Sequence, residues 1–443
     1  MLLEVPTRIA TIPAVRRART TPGLLVALTG VLVTLGLVYA VVGLVAVGQR
    51  AARVDEIRTV SGPLSVHALD VYRSLSDADA TAAVAFLSAG VETPALRQRY
   101  LDDIARASSA LALALRATDD SSDPSNRSET LLRSIAVQLP VYTGVVETAR
   151  TYNRQQLPLG AAYLQEASGL MRNTLLPAAQ ELFTLETDRL STAQRTGADF
   201  PALVLLLGLA LLGALIGVQA FLTRRTNRLL NPGLAIASLA TVISLLWLTA
   251  AMGAAGSHLD TGRRTGSSLF AQLAEARVLA LQARADESLT LIARGDGAAD
   301  EEHYQRMLDK LVGSRGFRDA GLLGAYNRRE LDAADARMVG QIDDLARAWR
   351  DQHQFVRDVD NRGEHAEAVR MALSDDADSP ATLFAALDAA LGKAIDTTGQ
   401  RFAAESADAA GNLTSARIGI VLPILVVILA TVLGTRARIG EYR

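Results

Sequence analysis

The residues of this sequence that could bind a metal or act as nucleophiles are few and scattered. The five histidines stand at positions 67, 258, 303, 353 and 365, and the chain has no cysteine. A zinc site needs ligands at defined short spacings, such as His-Glu-x-x-His on a helix, and no such spacing occurs. His303 beside Glu301 and Glu302 is the nearest approach to a metal cluster, and a solvated helix start is the simpler interpretation. The sequence therefore predicts no metal site, no disulfide framework and no thiolate chemistry.

The acidic residues that stand close together do not form an acid–base pair. Asp77 and Asp79 are two positions apart, so on a helix their side chains point to different sides. Asp102-Asp103 and Asp343-Asp344 are interpreted as exposed helix faces. No glycine-rich phosphate loop follows a strand pattern. We therefore expect a protein that is not an enzyme and that needs no cofactor.

A short arginine-rich stretch offers binding chemistry instead. Residues 223–232, "TRRTNRLLNP", carry Arg224, Arg225 and Arg228 between two long apolar runs. Ten residues are too few to form a catalytic domain, so we expect the protein to act through others. Clustered arginines beside a membrane span bind anionic lipid or a cytoplasmic partner, and the sequence does not decide between them. The net charge of −2 argues against a nucleic-acid partner.

Four uncharged apolar runs predict four transmembrane helices. The chain is 49% hydrophobic and 21% charged, and residues 24–47, 201–222, 233–253 and 418–434 contain no charged residue or histidine. Crossing the core of a lipid bilayer takes about 20 apolar residues. The fourth run is short and contains Pro423, which a membrane helix tolerates. The first run is too long for a cleaved signal sequence, and no small-residue cleavage site precedes Gln49.

Positive charge in the short segments predicts the orientation. Arginines are concentrated in the N-terminal tail, in the loop between the second and third runs, and in the C-terminal tail. Because such residues stay in the cytoplasm, both termini are expected on the cytoplasmic side of the plasma membrane. The predicted divisions are a cytoplasmic tail (1–23), TM1 (24–47), an extracytoplasmic helical bundle (48–200), TM2 (201–222), a cytoplasmic loop (223–232), TM3 (233–253), a second extracytoplasmic bundle (254–417), TM4 (418–435) and a cytoplasmic tail (436–443).

Both long segments between the spans have helical periodicity. Leu96, Tyr100, Ile104 and Ala107 recur every three or four residues, and no sustained alternation typical of strands occurs. Glycines and prolines divide the first segment into four helices, of which the outer two run on into spans. The predicted fold class is an all-α membrane protein with four transmembrane helices and two tandem extracytoplasmic four-helix-bundle domains.

The second long segment repeats landmarks of the first. Ala78-Asp79 pairs with Ala285-Asp286, Tyr100 with Tyr304, and Gly160 and Pro177 with Gly363 and Pro380, at offsets of 207, 204 and 203 residues. Three landmarks in the same order indicate duplication of a span–bundle–span unit. After the prolines the spacing to the next span differs, 23 residues against 37. The second connection to the membrane is therefore predicted to be longer, or broken at Gly411-Asn412.

Two short stretches resemble a known family of sensor domains. Tyr72 with Ala78-Asp79, and "GEHAEA" at residues 363–368, are similar to the four-helix-bundle sensor domain of methyl-accepting chemoreceptors, although Leu279 replaces the tyrosine in the second copy. The signalling coiled coil of those receptors has no counterpart here. The whole arrangement resembles instead a family of actinobacterial four-pass membrane proteins that work with a glutamine-binding-type lipoprotein and protein kinase G in sensing external glutamate and aspartate. That resemblance implies a relay from an extracytoplasmic solute-binding lipoprotein to a cytoplasmic protein kinase, and it assigns no ligand-binding residue.

Small residues on the spans indicate close helix packing. Gly36 and Gly43 lie one heptad apart, and Gly213 and Gly217 form a Gly-x-x-x-Gly pattern. Such faces let helices approach within one chain or between two, so the sequence leaves a homodimer open. A transport path is disfavoured because the spans hold no charged residue.

The turns farthest from the membrane are the expected contact for an external partner. Their charged residues are Glu92, Arg97 and Arg154 in the first segment and Arg294, Asp296 and Glu364 in the second. Ordinary solvated turns are the alternative interpretation. We therefore expect a non-enzymatic sensor or relay; the competing functions are a structural envelope scaffold and a transporter accessory subunit that transmits nothing.

Overall fold

The chain is helical wherever the structure describes it. The computed structural model describes residues 21–88, 92–119, 127–198, 202–226, 231–314, 321–325 and 331–440. Within these residues there are helices and turns but no strand, which confirms the predicted all-α class. The described α-helices are α1 Thr21–Glu56, α2 Gly62–Leu87, α3 Pro94–Asp119, α4 Arg127–Arg154, α5 Leu159–Leu170, α6 Leu176–Ala198, α7 Ala202–Thr226, α8 Pro232–Thr261, α9 Ser268–Ile292, α10 Ala298–Val312, α11 Leu322–Ala325, α12 Ala333–Asn361, α13 His365–Ala372 and α14 Pro380–Gly440.

The helices form two compact units. One, called here the span unit, comprises Met1–Asp55, Arg195–Asp260 and Glu405–Arg443. The other, called the bundle unit, comprises Glu56–Gln194 and Thr261–Ala404. Each unit therefore draws on both halves of the chain.

The span unit contains the four helices that the sequence predicts as transmembrane. Among the described residues, four helical runs are long and apolar enough to cross a membrane: Gly23–Leu87, Ala202–Arg224, Pro232–Ile292 and Pro380–Arg436. Large apolar side chains on these helices point outward, and Leu206 and Leu246 are 63% and 65% exposed. An extensive exposed apolar surface of this kind is typical of contact with a membrane.

Two glycines allow the helices of the span unit to approach closely. A Cβ atom at Gly208 of α7 would lie 2.4 Å from Leu245 Cδ2 of α8 and 2.9 Å from Tyr39 Cε2 of α1. A Cβ atom at Gly43 of α1 would lie 3.1 Å from Ile420 Cδ1 of α14. A larger residue at Gly208 would therefore require the side chains of Leu245 and Tyr39 to move.

The other three glycines predicted to mediate packing have more space around them. A Cβ atom at Gly36 would lie 4.0 Å from Val427 Cγ1, which is an ordinary contact. No atom of another residue lies within 4 Å of the Cβ position at Gly213 or Gly217. Within one chain the Gly-x-x-x-Gly face of α7 is thus open among the described residues, and its packing role stays a prediction.

Two helices, α2 and α9, form the centre of the bundle unit and pack against each other. Every residue from Ser74 to Ala83 of α2 is buried, and so is every residue from Ala283 to Leu291 of α9. A helix that is buried all round lies inside the core and is not a surface helix with one apolar face. The remaining helices of the unit therefore surround this central pair.

One hydrophobic core serves both long segments of the sequence. Leu75, Leu132 and Met171 of the first segment belong to the same contiguous cluster as Leu281 and Trp349 of the second. The two segments thus form a single compact unit, where the sequence suggested two tandem bundles. The physical reason is that α2 and α9 bury residues on all sides, most of them small or apolar, so each also buries surface against the other.

Three π-helical turns interrupt the long helices without ending them. Ile57–Ser61 joins α1 to α2, Met171–Leu175 joins α5 to α6, and Gly262–Ser267 joins α8 to α9. The first and third begin 205 residues apart, at positions 57 and 262, which is close to the offset of the sequence repeat. π-Helical turns within α-helices occur frequently at functional sites.

The predicted break at Gly411-Asn412 is wrong, because α14 runs uninterrupted from Pro380 to Gly440. Glycine and asparagine are weak helix formers, costing up to about 1 kcal/mol each relative to alanine, and packing readily outweighs that cost. The buried residues Ala409, Leu413 and Ala416 provide such packing on either side of the pair. The longer spacing in the second segment is therefore accommodated within one longer helix.

Candidate functional site: a buried charged network in the bundle unit

The first residue of the network is Asp79, on the central helix α2. Its side chain is only 4% exposed, and its Oδ1 accepts hydrogen bonds from Ser168 Oγ at 2.9 Å and from the Tyr142 hydroxyl at 3.2 Å. Burial raises the pKa of Asp79 to about 6, and the two hydrogen bonds and the nearby charge of Arg172 oppose that rise. Burial therefore brings the pKa of Asp79 closer to neutral pH than that of an exposed aspartate.

Arg172 connects the first segment to the second. It lies in the π-helical turn Met171–Leu175, and its guanidinium places Nη1 3.2 Å from Asp286 Oδ1 and Nη2 2.8 Å from Asp300 Oδ1. Asp286 is the repeat equivalent of Asp79, so this arginine lies among the two motif aspartates and Asp300. A single side chain of the first segment thus pairs with two carboxylates of the second.

Asp286 also contacts a histidine. His303 Nδ1 on α10 lies 2.5 Å from Asp286 Oδ2, and the His303 side chain is 19% exposed. Burial raises the pKa of Asp286, while His303 and Arg172 oppose the rise. The interpretation of His303 as part of a solvated helix start is therefore wrong, because its ring reaches inward to a buried carboxylate on the neighbouring helix.

A second buried histidine lies between two glutamates. His353 on α12 is 1% exposed, with Nδ1 3.1 Å from Glu287 Oε1 and Nε2 3.0 Å from Glu301 Oε2. Burial alone would lower the pKa of His353, but the hydrogen bonds and charges of the two glutamates outweigh it and raise the pKa. Arg284 pairs with Glu287 and Arg357 with Glu301, so both glutamates have a second cation.

A tyrosine ring is stacked with a nitrogen-containing side chain at equivalent places of the two segments. The guanidinium of Arg150 lies 4.1 Å from the ring centre of Tyr100, and the ring of His353 stacks on Tyr304 with centres 3.8 Å apart. Positions 150 and 353 differ by 203, close to the difference between the tyrosines. Sequence comparison found the tyrosines but missed Arg150 and His353, because a cation over a ring leaves no signal in the local sequence.

The structure brings together the three tip residues predicted in the first segment. Glu92, Arg97 and Arg154 line one cavity of about 530 Å³, together with Arg150. Arg150 donates to Glu92 at 2.9 Å. Arg97 and Arg150 also both donate to Glu147, at 2.8 and 2.9 Å. Arg154 is exposed and forms no ion pair with a described residue.

The three tip residues predicted in the second segment lie in two turns. Arg294 and Asp296 are exposed in the turn between α9 and α10, where Arg294 has a φ of 47°. Glu364 is exposed before α13 and accepts a hydrogen bond from Arg362 at 3.2 Å. In the described part of the chain no hydrogen bond or ion pair joins these two turns.

In each of the acidic pairs Asp102-Asp103 and Asp343-Asp344, which the sequence predicts to be exposed, one aspartate is buried. Asp103 is fully buried and pairs with Arg106, and its Oδ2 accepts a hydrogen bond from Thr81. Asp343 is 4% exposed and pairs with Arg347 at 2.8 Å. Only Asp102 and Asp344 are exposed, so the prediction was right for one member of each pair. A helix face that is polar in sequence is buried here because an arginine on the same helix compensates the charge.

The cytoplasmic arginines are described only in part. Arg224 is exposed and lines a cavity of about 550 Å³ between α7 and α8 of the span unit, together with Gln219 and Ser238. The Arg225 side chain and Arg228 lie outside the described residues. Their predicted contact with a partner or with lipid stays a prediction.

One group of possible metal ligands lies in the span unit. His258, Glu405 and Asp408 have ligand atoms within 4.8 Å of one another, and His258 Nδ1 lies 2.6 Å from Glu405 Oε2. All three side chains are partly or fully exposed, so the group is adequately explained as a surface ion pair beside a second carboxylate.

Comparison with known proteins supports a sensing role for the first segment. Residues 53–195 match the family model described as an actinobacterial sensor domain. This range contains Asp79, Tyr142, Ser168 and Arg172, and it ends before the second segment begins. No curated protein and no solved structure matches the chain. The match therefore covers the part of the network that reaches from Asp79 to Arg172.

Proposed function

We propose that this chain is a non-enzymatic transmembrane sensor that relays an extracytoplasmic signal to a cytoplasmic partner. The signal is a solute-binding lipoprotein loaded with an amino acid such as glutamate or aspartate, and the cytoplasmic partner is a Ser/Thr protein kinase. In this proposal both termini and residues 223–232 face the cytoplasm, and the bundle unit lies outside the plasma membrane. The match of residues 53–195 to a sensor domain supports the sensing part of the proposal.

The observation that carries the proposal is the continuity of three helical runs. Gly23–Leu87, Pro232–Ile292 and Pro380–Arg436 each contain a candidate membrane span and a helix of the bundle unit. A continuous helix can transmit a shift, tilt or rotation, because packed helices move between discrete arrangements. A signal needs to favour one arrangement by only a few kcal/mol to change its population.

The buried network supports a coupled response of the two segments. Arg172 is held by Asp286 and Asp300, so a shift of the π-helical turn Met171–Leu175 changes charge compensation in the second segment. The second segment ends in α14, which runs from the bundle unit into a candidate span. No π-helical turn interrupts α14, and no other described helix joins the two parts in this way. A signal received by the matched sensor segment would therefore pass through Arg172 to α14.

The cavity at Glu92, Arg97 and Arg154 is the proposed contact for the lipoprotein. Since Arg97 and Arg150 are already paired with Glu147, the exposed Arg154, which has no ion pair with a described residue, is the cation most available to an acidic partner surface. Charges at the edge of an interface mainly control the association rate. We expect Arg154→Glu to reduce co-purification of the lipoprotein, and Arg97→Glu with Arg154→Glu to reduce it further.

The test of partner binding compares these variants with an exposed arginine away from the cavity. Arg116→Glu on α3 is the matched control and should leave co-purification unchanged. The full chain is purified from detergent extracts with and without external glutamate or aspartate, and the lipoprotein is quantified. If equal amounts of lipoprotein co-purify with the Arg154→Glu and Arg116→Glu variants, this cavity is not the contact for the lipoprotein.

The test of relay inserts two glycines into α14 after Ser415. Two residues rotate the following helix by about 200° and extend it by about 3 Å, and glycine weakens its rigidity. We expect loss of the kinase response to external amino acid, measured as intracellular Ser/Thr phosphorylation, with lipoprotein binding intact. The same insertion after Asp375, in the turn between α13 and α14, is the control. A normal response in the α14 variant would instead favour a scaffold or a transporter accessory subunit.

A further inference from the structure

A second cavity in the bundle unit is built from both segments of the chain. It has a volume of about 470 Å³ and is lined by Asp77 of α2, by Gln98, Arg99, Asp102 and Arg106 of α3, and by Arg277 of α9. None of the residues that the sequence analysis assigned to partner binding lies here. The cavity is also separate from the network around Asp79, because Asp77 points to another side of α2.

Asp77 is the feature of this cavity that indicates a ligand. Its side chain is only 5% exposed, yet it accepts no hydrogen bond and forms no ion pair within 4 Å among the described residues. The other buried aspartates of the central helices, Asp79 and Asp286, both have such partners. Burial raises the pKa of Asp77 to about 6, and Arg277 opposes that rise. A buried carboxylate without a partner is destabilising when ionised, and a cationic or hydrogen-bonding ligand would supply the missing contact.

The remaining charges of the cavity are mostly satisfied within the protein. Arg277 donates to both oxygens of Asp388, at 2.7 and 3.0 Å. Arg106 is paired with Asp103, and Gln98 donates to Asp102 at 2.8 Å. Arg99 is exposed and forms no hydrogen bond or ion pair with a described residue. One buried carboxylate without a hydrogen bond and one exposed guanidinium are thus left for an external molecule, beside the exposed Asp102, which accepts a hydrogen bond only from the neutral amide of Gln98 among the described residues.

We propose that this cavity binds a small zwitterion of the α-amino-acid class, with its ammonium group on Asp77 and its carboxylate on Arg99. A ligand with only an ammonium group would leave Arg99 unpaired, and one with only a carboxylate would leave Asp77 without a partner. Arginine recognises carboxylates through two parallel N–H donors, and Arg106 lies on the same helix to assist. Because the walls belong to α2, α3 and α9, an occupied cavity would tie the two segments together.

The effect of this binding on signalling rests on the proposed sensing function. The binding itself does not, because it can be measured without any signalling partner. The test uses the full chain in detergent and isothermal titration with individual L-amino acids, with putrescine, with succinate and with inorganic phosphate. We expect at least one amino acid to bind, and putrescine, succinate and phosphate to bind at least about tenfold more weakly. Asp77→Asn and Arg99→Gln should each weaken binding about tenfold or more, which corresponds to the loss of one charged contact.

Two matched controls keep the test specific. Asp70→Asn replaces a partly buried aspartate on the same helix that does not line the cavity, and Arg116→Gln replaces an exposed arginine on α3. Both should bind as the unchanged protein does. The proposal is overturned if no amino acid binds, if Asp77→Asn binds normally, or if succinate or phosphate binds as tightly as the amino acid. Failure of the kinase response alone would overturn the proposed function and leave the measured binding in place.

Discussion

Asp79 shows how a buried charge limits the stability of the bundle unit. Its pKa of about 6 in the folded chain exceeds the value of about 3.9 expected for an unfolded aspartate. The folded state therefore holds this proton more tightly, so the stabilising contribution is complete below pH 3.9 and is lost as the pH rises through 6. At neutral pH the ionised carboxylate reduces the free energy of unfolding.

We predict that Asp79→Asn raises the melting temperature of the full chain at pH 7.5 and not at pH 4. Both native donors, Ser168 and Tyr142, bond Oδ1, and the asparagine carbonyl oxygen can accept both. Two pKa units correspond to a gain of up to about 3 kcal/mol. The control Asp344→Asn, at an exposed position of α12, should have no effect at either pH. A lower melting temperature at pH 7.5 would show that attraction to Arg172 outweighs the cost of burial.

At the scale of elements, Gly208 and Gly213, two of the three glycines of α7, differ in what surrounds them. The Cβ position at Gly208 lies 2.4 Å from Leu245, and the Cβ position at Gly213 has no neighbour within 4 Å. We predict that Gly208→Val destabilises the purified chain by about 1–3 kcal/mol, the usual cost of overpacking, while Gly213→Val leaves its thermal stability unchanged. Melting curves in detergent would measure both. If Gly213→Val is also destabilising, or changes the oligomeric state, a second chain packs on the Gly-x-x-x-Gly face.

The second element-scale question is which helix carries the signal. The sequence predicts a weak link in the helix at Asp199-Phe200-Pro201, because proline disfavours helical geometry in the residue before it, but these positions lie outside the described residues. α14 contains only Pro423 within its length, and it is uninterrupted. Suppose that two glycines inserted after Asp199 abolish the kinase response while the insertion after Ser415 leaves it intact. That result would assign transmission of the signal to the first segment instead.

At the scale of the whole molecule, the orientation is the prediction on which the proposed relay depends. Because the chain has no cysteine, single cysteines can be introduced without a background signal. We predict that Ser109→Cys on the first segment and Asp375→Cys on the second react with an impermeant maleimide on intact cells. Thr226→Cys, in the arginine-rich loop, should react only after the membrane is permeabilised. Labelling of Thr226→Cys on intact cells would reverse the orientation and with it the proposed direction of signalling.

Much of the architecture could be derived from sequence, because it depends on local composition. A run of about 20 residues without charge predicts a membrane helix whatever its neighbours are. Apolar residues at every third or fourth position likewise predict helices in both long segments, and the structure has helices there. The proximity of Glu92, Arg97 and Arg154 was also predictable, since two turns at the same end of a helical bundle lie close together.

The tertiary structure alone decided that the two segments share one core. Nothing in a periodic pattern shows that α2 and α9 bury their remaining sides against each other, because that depends on the total surface that the other helices cover. The same contact decides the site: Arg172 meets Asp286 and Asp300, more than 100 residues away in sequence, only once the central helices are packed. Sequence identified the Ala-Asp motifs, and packing determined that Asp79 is buried with hydrogen-bond partners while Asp77 faces a cavity without one. Burial and charge compensation are sums over neighbours in space, and the order of residues along the chain does not contain them.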